Sequence, residues 1–161
     1  MNAAARFGAV VTLAAVMLAQ AGHAQQSVKV TPRLEAIAET KLLMNGLAHA
    51  NFKGLERLLT RPPGDDQAWT FARGQALLLA ETGNLLMLRP PRNSSENLWF
   101  ERAMAFRAQA VQLAQIVARK DHDGARGELS RLAESCNRCH TSFRVPVQIE
   151  AFAVPAPPEP K

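Results

Sequence analysis

The chain has few cysteines, no clear strand segments and no long apolar run in its main body. Its 161 residues include only two cysteines, and both lie within the short segment Cys136-Asn137-Arg138-Cys139-His140. The strict alternation of apolar and polar residues that marks half-buried strands is absent, and no internal repeat is visible. These absences argue against a thioredoxin-like fold, in which strands alternate with helices.

The longest apolar run lies at the N-terminus. It extends from Gly8 to Ala19, which is shorter than the ~20 residues that a membrane-spanning helix needs. A short segment with one positive charge, Arg6, precedes it, and the small residues Gly22-His23-Ala24 follow. This order is typical of a secretory signal peptide. We therefore predict that residues 1–24 are removed after Ala24 and that the mature protein is periplasmic.

The segment from Cys136 to His140 spells C-x-x-C-H, the attachment pattern of a c-type haem. In such a site the thiols of Cys136 and Cys139 add across the two vinyl groups of the porphyrin. The imidazole of His140 binds the iron as the proximal ligand. At about 100° per residue, Cys136 and His140 point to the same side of a helix, with Cys139 beside them. We predict one covalent haem c per chain, in agreement with the export signal.

Other uses of the cysteine pair remain open at this stage. In an exported protein, Cys136 and Cys139 can form a local disulfide or a redox pair. A zinc site would need two further ligands, and neither His49 nor His122 has a metal-ligand spacing with the motif. Haem is the favoured interpretation because the complete five-residue pattern and the predicted export agree.

The charge of the chain is modestly basic. Lysine and arginine number 19 against 14 acidic residues, a formal net charge of +5, and the basic residues do not cluster. This argues against nucleic-acid binding and suits docking to an acidic redox partner protein. No acid–base pair or nucleophile stands out beyond the haem itself, so an enzyme is the least favoured function.

Four long helical patterns predict an all-α fold. The first begins at Thr31-Pro32, with proline in its first turn, and ends near Leu59. Short connections favour an antiparallel up-down-up-down four-helix bundle over residues 31–144. The apolar stripe of the first helix consists of Leu34, Ile37, Met44, Leu47, Leu55 and Leu58.

Capping residues mark the starts of the other three helices. Asp65 or Asp66 caps the second helix, which is apolar on most sides and is expected to be the most buried. Asn93, with Glu96 three residues later, resembles a capping box at the start of the third helix. Asp123 is the expected cap of the fourth.

The last two helices carry apolar seams with spacings of four and three residues, as in helices packed nearly parallel to their neighbours. The haem cysteines occupy seam positions, which places the predicted porphyrin in the bundle core. Residues 145–161 are rich in proline, and we expect them to be extended or disordered. The seams are Trp99, Ala103, Phe106, Ala110, Leu113 and Val117, then Ala125, Leu129, Leu132, Cys136, Cys139 and Phe143.

A four-helix bundle with C-x-x-C-H on its last helix resembles the class II c-type cytochromes, the cytochrome c′ family and its low-spin relatives. The run from Cys136 to Phe143-Arg144 matches the aromatic–arginine pair that often follows the histidine in that family, and Trp99 matches its tryptophan at the start of the third helix. The connection 90–93 is shorter than is usual there. The resemblance implies that Arg144 holds a haem propionate, and it is compatible with a homodimer.

The residue opposite His140 decides between two functions. Met44 lies on the inward stripe of the first helix, where low-spin relatives place a methionine ligand, and such ligation suits electron transfer. If Met44 is only core filler, or if Leu43 or Leu47 covers the iron, the haem is five-coordinate and binds nitric oxide or carbon monoxide. A third hypothesis is a docking module that contacts a larger redox complex through its proline-rich tail.

Overall fold

The computed structural model describes residues 33–92 and 94–152. Over these residues the protein is all-helical, with four helices in a bundle and no strand. None of the helices in this part of the chain is long and apolar enough to cross a membrane. The predicted signal peptide, the Thr31-Pro32 helix start, the Asn93 cap and the tail beyond Phe152 lie outside the described residues.

The first helix is continuous but changes its winding in the middle. It consists of α1 (Thr40–Leu43), a π-helical segment (Met44–His49) and α2 (Ala50–Leu58). In a π-helix each hydrogen bond spans one residue more than in an α-helix, so the buried face shifts by one position. Accordingly Leu43 and Ala48, five residues apart, are both buried.

The predicted start of this helix was wrong. Leu34 and Ile37 lie in a non-helical segment and are 77% and 85% exposed, so they do not belong to the core stripe. A short helix is stable only when one of its faces packs against a partner. Leu34 and Ile37 are exposed and provide no such packed face. Instead, Arg89 at the end of the next helix donates from Nε to the carbonyl oxygen of Ala38 at 2.9 Å.

The second and third helices, α3 (Asp66–Met87) and α4 (Glu96–Ala118), pack closely along their length. Asp65 caps α3, as predicted, by accepting a hydrogen bond from the Ala68 amide at 2.8 Å. At Gly83 an added Cβ would lie 2.7 Å from the Cβ of Arg107. Only glycine therefore allows the two backbones to come this close.

Two predictions for these helices need correction. The cap of α4 is Ser95, whose side chain accepts from the Leu98 amide at 3.3 Å. The sequence of α3 suggested burial on most sides, but three of its large apolar side chains are exposed, because α2 and α4 cover only part of its surface. The exposed side chains are Phe71, Leu77 and Leu78.

The last helix, α5 (His122–Ser142), is capped by Asp121 and not by Asp123. Its seam residues Ala125, Leu129 and Leu132 are fully buried. The seam residues of α4 are also buried, each with at most 8% exposure. The carboxylate of Glu128 is also fully buried. It accepts a hydrogen bond from Gln109, which joins α5 to α4, and another from Arg131 on α5 itself. A buried carboxylate needs such partners to offset its loss of hydration.

The start of α5 is tied to the end of the first helix. His122 is half-buried, and its Nε2 lies 3.0 Å from the Leu59 carbonyl oxygen. Arg126 donates to the same oxygen at 2.7 Å. Two side chains of α5 thus satisfy a carbonyl that the end of α2 leaves without a helical partner.

The buried side chains form two clusters. The smaller one, here called the second core cluster, consists of Leu43, Leu86, Trp99 and Ala103. The larger one, here called the main core cluster, comprises Ala48, Phe52, Leu55, Leu59, Trp69, Ala72, Ala76, Leu79, Ala80, Phe106, Ala110, Leu113, Ala114, Ile116, Val117, Ala125, Leu129, Leu132 and Ala133.

Candidate functional site

The C-x-x-C-H motif occupies the last turns of α5. Cys136, Cys139 and His140 are all half-buried, and both cysteines are free thiols. Cys136 packs against the main core cluster, while Phe143, at the end of the helix, packs against the second one. The motif therefore lies at the edge of the bundle core, and the predicted placement of the porphyrin within the core stays a prediction.

Burial holds both thiols in the neutral form. It raises the pKa of Cys136 from 9.0 to about 12, and the neighbouring Cys139 adds to the rise. Burial also raises the pKa of Cys139, against an opposing effect of the Arg102 guanidinium. Neutral thiols are poor nucleophiles, so the cysteines of the folded chain are suited to packing more than to redox chemistry.

Trp99 connects three helices next to the motif. Its indole Nε1 donates to the carbonyl oxygen of Leu86 at 2.7 Å, which joins the start of α4 to the end of α3. Its ring lies 5.0 Å from that of Phe143 in an edge-to-face arrangement, which joins both to the end of α5. This geometry is favourable for aromatic pairs and fixes the direction of the helix end that carries His140.

The imidazole of His140 is oriented by the backbone. Its Nδ1 lies 2.8 Å from the carbonyl oxygen of Val147. Because a carbonyl oxygen only accepts hydrogen bonds, Nδ1 must carry the proton, and in the neutral ring Nε2 then has a free lone pair. This is the tautomer that binds a metal through Nε2.

The segment that supplies this carbonyl runs back along α5. Residues 145–152, here called the C-terminal strap, are non-helical, and Ile149, Ala151 and Phe152 pack against the main core cluster. The strap has no regular secondary structure, and it lies on its own bundle instead of standing free. Sequence reasoning missed this contact, because the proline content of the tail gave no sign of a docking partner.

Met44 lies at the start of the π-helical segment. It is half-buried and packs against both core clusters. Cys136 also packs against the main core cluster, and Phe143 packs against the second core cluster. Leu43 is buried and Leu47 half-buried in the same region. All three candidates for the side opposite His140 therefore lie in one stretch of the first helix, and both their position relative to His140 and the choice among them stay predictions.

Arg144, expected to hold a haem propionate, and three further arginines differ in their surroundings. Arg144 is exposed and has a positive φ of 54° just after α5. Arg89 donates to the backbone oxygens of Ala38 and Leu85, so its guanidinium already has partners. Arg73 and Arg138 are exposed.

Sequence reasoning also missed Arg102. It acts on the Cys139 thiol electrostatically, and its Nε donates to Ser142 Oγ at 3.3 Å. The one cue in the sequence is its position three residues after Trp99, which places it on the same turn of α4.

The donor set fits a covalent haem. Two half-buried thiols and an imidazole with a free Nε2 lie on one helix, whose end also carries Phe143, the aromatic partner of Trp99. Among the described residues, no group of three or more His, Cys, Asp or Glu side chains is placed to hold a metal ion by itself. The iron of a porphyrin needs fewer protein ligands, since the macrocycle supplies four nitrogens.

Over the described residues the chain is a helical bundle whose last helix carries a C-x-x-C-H motif with donors that fit a c-type haem. Comparison with protein families gives a match to the family described as Cytochrome C′ over residues 95–144, which contain α4, α5 and the motif. The match supports the assignment of this chain to the class II c-type cytochromes, the cytochrome c′ family. Comparisons with curated proteins and with solved structures gave no match.

Proposed function

We propose that this protein is an exported electron carrier with one covalent haem c per chain. In the proposed site, Cys136 and Cys139 attach the porphyrin through thioether bonds, and Nε2 of His140 binds the iron. The observation that carries the proposal is the free Nε2 of His140, held in place beside two thiols on a helix that matches the cytochrome c′ family. When bound, the haem supplies a one-electron iron couple.

The other parts of the proposal follow from the charge and the packing. The bundle is antiparallel, up-down-up-down, and the 18 basic and 14 acidic residues after position 24, a formal charge of +4, favour an acidic redox partner over nucleic acid. The protein carries electrons without being an enzyme itself and works in the periplasm after removal of residues 1–24. A homodimer is compatible with these properties.

A second candidate function is reversible binding of nitric oxide or carbon monoxide. Leu43 is more deeply buried than Met44 and belongs to the second core cluster together with Trp99. If Leu43 or Leu47 covers the iron, the position opposite His140 stays free for a small gas.

Mass spectrometry tests covalent attachment. Protein exported from a host with haem-attachment machinery should have the mass of the chain without residues 1–24 plus one haem. The Cys136→Ala variant with Cys139→Ala, made in the same host, should carry no covalent haem. A wild-type protein with free thiols or a Cys136–Cys139 disulfide would refute the proposal.

A further inference from the structure

The C-terminal strap is fixed at both ends by specific contacts. At its start, Arg144 adopts a left-handed conformation, and the amide of Val145 donates to the His140 carbonyl oxygen at 2.8 Å. The Val147 amide then donates to the Val145 carbonyl oxygen at 2.9 Å, a three-residue turn around Pro146. Proline suits the centre of this turn because its ring fixes φ near −65°.

In the middle of the strap, the side chain of Asn137 pairs with one backbone residue through both of its polar atoms. Its Nδ2 donates to the Ile149 carbonyl oxygen at 2.8 Å, and its Oδ1 accepts from the Ile149 amide at 2.7 Å. Asn137 lies one helical turn before His140. The side-chain amide of Asn137, which lies inside the C-x-x-C-H motif, therefore fixes the strap at Ile149, two residues beyond Val147.

The far end of the strap is attached to the first helix and to α5. The amide of Phe152 donates to the carboxylate of Glu56, and Lys53 Nζ lies 3.4 Å from the Glu150 carbonyl oxygen. The Arg126 guanidinium lies 3.7 Å from the centre of the Phe152 ring, within cation–π distance. With both ends and the middle held, the Val147 carbonyl has little freedom to leave His140.

We propose that the C-terminal strap is a proximal-ligand clamp and that Asn137 is its positioning residue. The strap holds the Val147 carbonyl on Nδ1 of His140, which fixes the ring orientation and makes Nε2 a stronger donor to iron. The inference rests on the proposed function, because it assigns a role to the strap at that same haem site. Hydrogen bonds from the second nitrogen of a ligating histidine are known to fix its tautomer and to raise its basicity.

A more basic Nε2 favours ferric over ferrous iron, so the clamp lowers the midpoint potential. Loss of an outer partner of a metal-bound histidine typically weakens metal affinity by about 10- to 100-fold. If loss of the clamp weakens histidine binding to ferric iron tenfold and leaves binding to ferrous iron unchanged, the midpoint potential rises by about 59 mV for a one-electron couple.

The test compares Asn137→Leu with Gln148→Leu in full-length, haem-loaded protein. Gln148 belongs to the same strap but is exposed. Its variant therefore controls for an added apolar side chain while the contacts of Asn137 and His140 with the strap are kept. Pro146→Gly is a second, independent way to loosen the turn. The readouts are the midpoint potential, the iron–histidine stretching frequency by resonance Raman spectroscopy, and amide hydrogen exchange at Ile149.

We expect Asn137→Leu and Pro146→Gly to raise the potential and lower the stretching frequency, with faster exchange at Ile149, while Gln148→Leu matches the wild type. Unchanged potential and frequency in Asn137→Leu, despite fast exchange at Ile149, would overturn the clamp. Failure of the proposed function is distinct, because the wild-type protein would then carry no haem by mass. A slow-exchanging Ile149 amide in Asn137→Leu would also overturn the role of Asn137.

Discussion

At the residue scale, Met44 separates the two functions proposed for the site. If its thioether binds the iron, the ferric protein should show the weak near-infrared band of sulfur–iron coordination and the ferrous protein should bind carbon monoxide slowly or not at all. Met44→Ala should then become high spin, bind carbon monoxide and have a lower potential. Absorption spectra and redox titration measure these changes.

Leu58→Ala is the matched control for this experiment, since Leu58 is half-buried on the same helix, is not a candidate to face the iron and has no sulfur. We expect it to keep the wild-type spectrum. A wild-type protein that is already high spin would contradict ligation by Met44. Met44→Ala would then mainly lose about 2–5 kcal/mol of stability, as is usual for truncation of a core side chain.

A second prediction at this scale concerns Cys136 in protein made without haem. Its pKa is 9.0 in an unfolded chain and about 12 in the folded one. Between these values the folded chain binds more protons than the unfolded chain, so a rise in pH favours unfolding. The contribution of the thiol to stability is therefore fully present below pH 9 and is lost as the pH rises towards 12.

Urea unfolding at several pH values measures this effect. The Cys136→Ala variant is the control, because it lacks the group but keeps the other titrating residues. We expect wild-type stability to fall more steeply than that of the variant between pH 9 and 12. Equal slopes would mean that the thiol is not buried in the haem-free chain.

At the scale of the helix, two ends adopt the same unusual conformation. After α4 and after α5, Lys120 and Arg144 have φ values of 59° and 54°, in the left-handed region. In each case the amide of this residue and the amide of the next residue donate back into the last turn, as in a Schellman motif, where glycine is the usual residue. The strain at a non-glycine residue there costs roughly 1–2 kcal/mol.

We therefore predict that Lys120→Gly and Arg144→Gly each stabilise the protein. Relief of strain exceeds the extra entropy of glycine in the unfolded chain, and the net gain should be about 0.5–1 kcal/mol. Thermal unfolding measures it, with Lys120→Ala and Arg144→Ala as controls that keep the strain. A loss of stability in Lys120→Gly, which is remote from the motif, would contradict this explanation.

The helices also show which structural features local sequence patterns can predict. The seam of α4, the first half of the α5 seam (Ala125, Leu129 and Leu132) and the Asp65 cap were predicted correctly, because each depends on periodicity or on residues three positions apart. The caps Ser95 and Asp121 were missed, since several polar residues precede each helix and only the backbone turn selects one of them. Leu34 and Ile37 have helical spacing but no helix, because spacing alone does not provide a packing partner.

At the scale of the whole molecule, we predict that haem attachment and folding stability are linked. Both cysteines lie at the edge of the core on α5, so an attached porphyrin buries apolar surface of the bundle. At ~25 cal/mol per Å² this burial contributes several kcal/mol. Cys136→Ala combined with Cys139→Ala should therefore melt well below the haem-loaded wild type, as measured by calorimetry.

The control is wild-type chain produced without attachment machinery, which keeps both thiols but carries no haem. It should be as unstable as the double variant if the porphyrin is the cause. If the loaded protein and both haem-free forms melt at the same temperature, the porphyrin must lie outside the core.

The sequence by itself determined the features that depend on neighbours along the chain. These are the C-x-x-C-H motif, the helical class of the fold, the apolar seams and the resemblance to class II cytochromes, which the family match over residues 95–144 supports. Such a motif is readable in this way because the proposed haem attachment requires fixed residue types at fixed spacing. A seam is readable because helical periodicity alone defines it.

Only the tertiary structure decided the features that join distant parts of the chain. The bond between Val147 and His140, the pairing of Asn137 with Ile149 and the contact of Phe152 with Glu56 link the tail to two helices. The π-helical turn at Met44 likewise depends on how the first helix packs. Such contacts follow from the packing of many side chains at once, and no pattern within one segment encodes them.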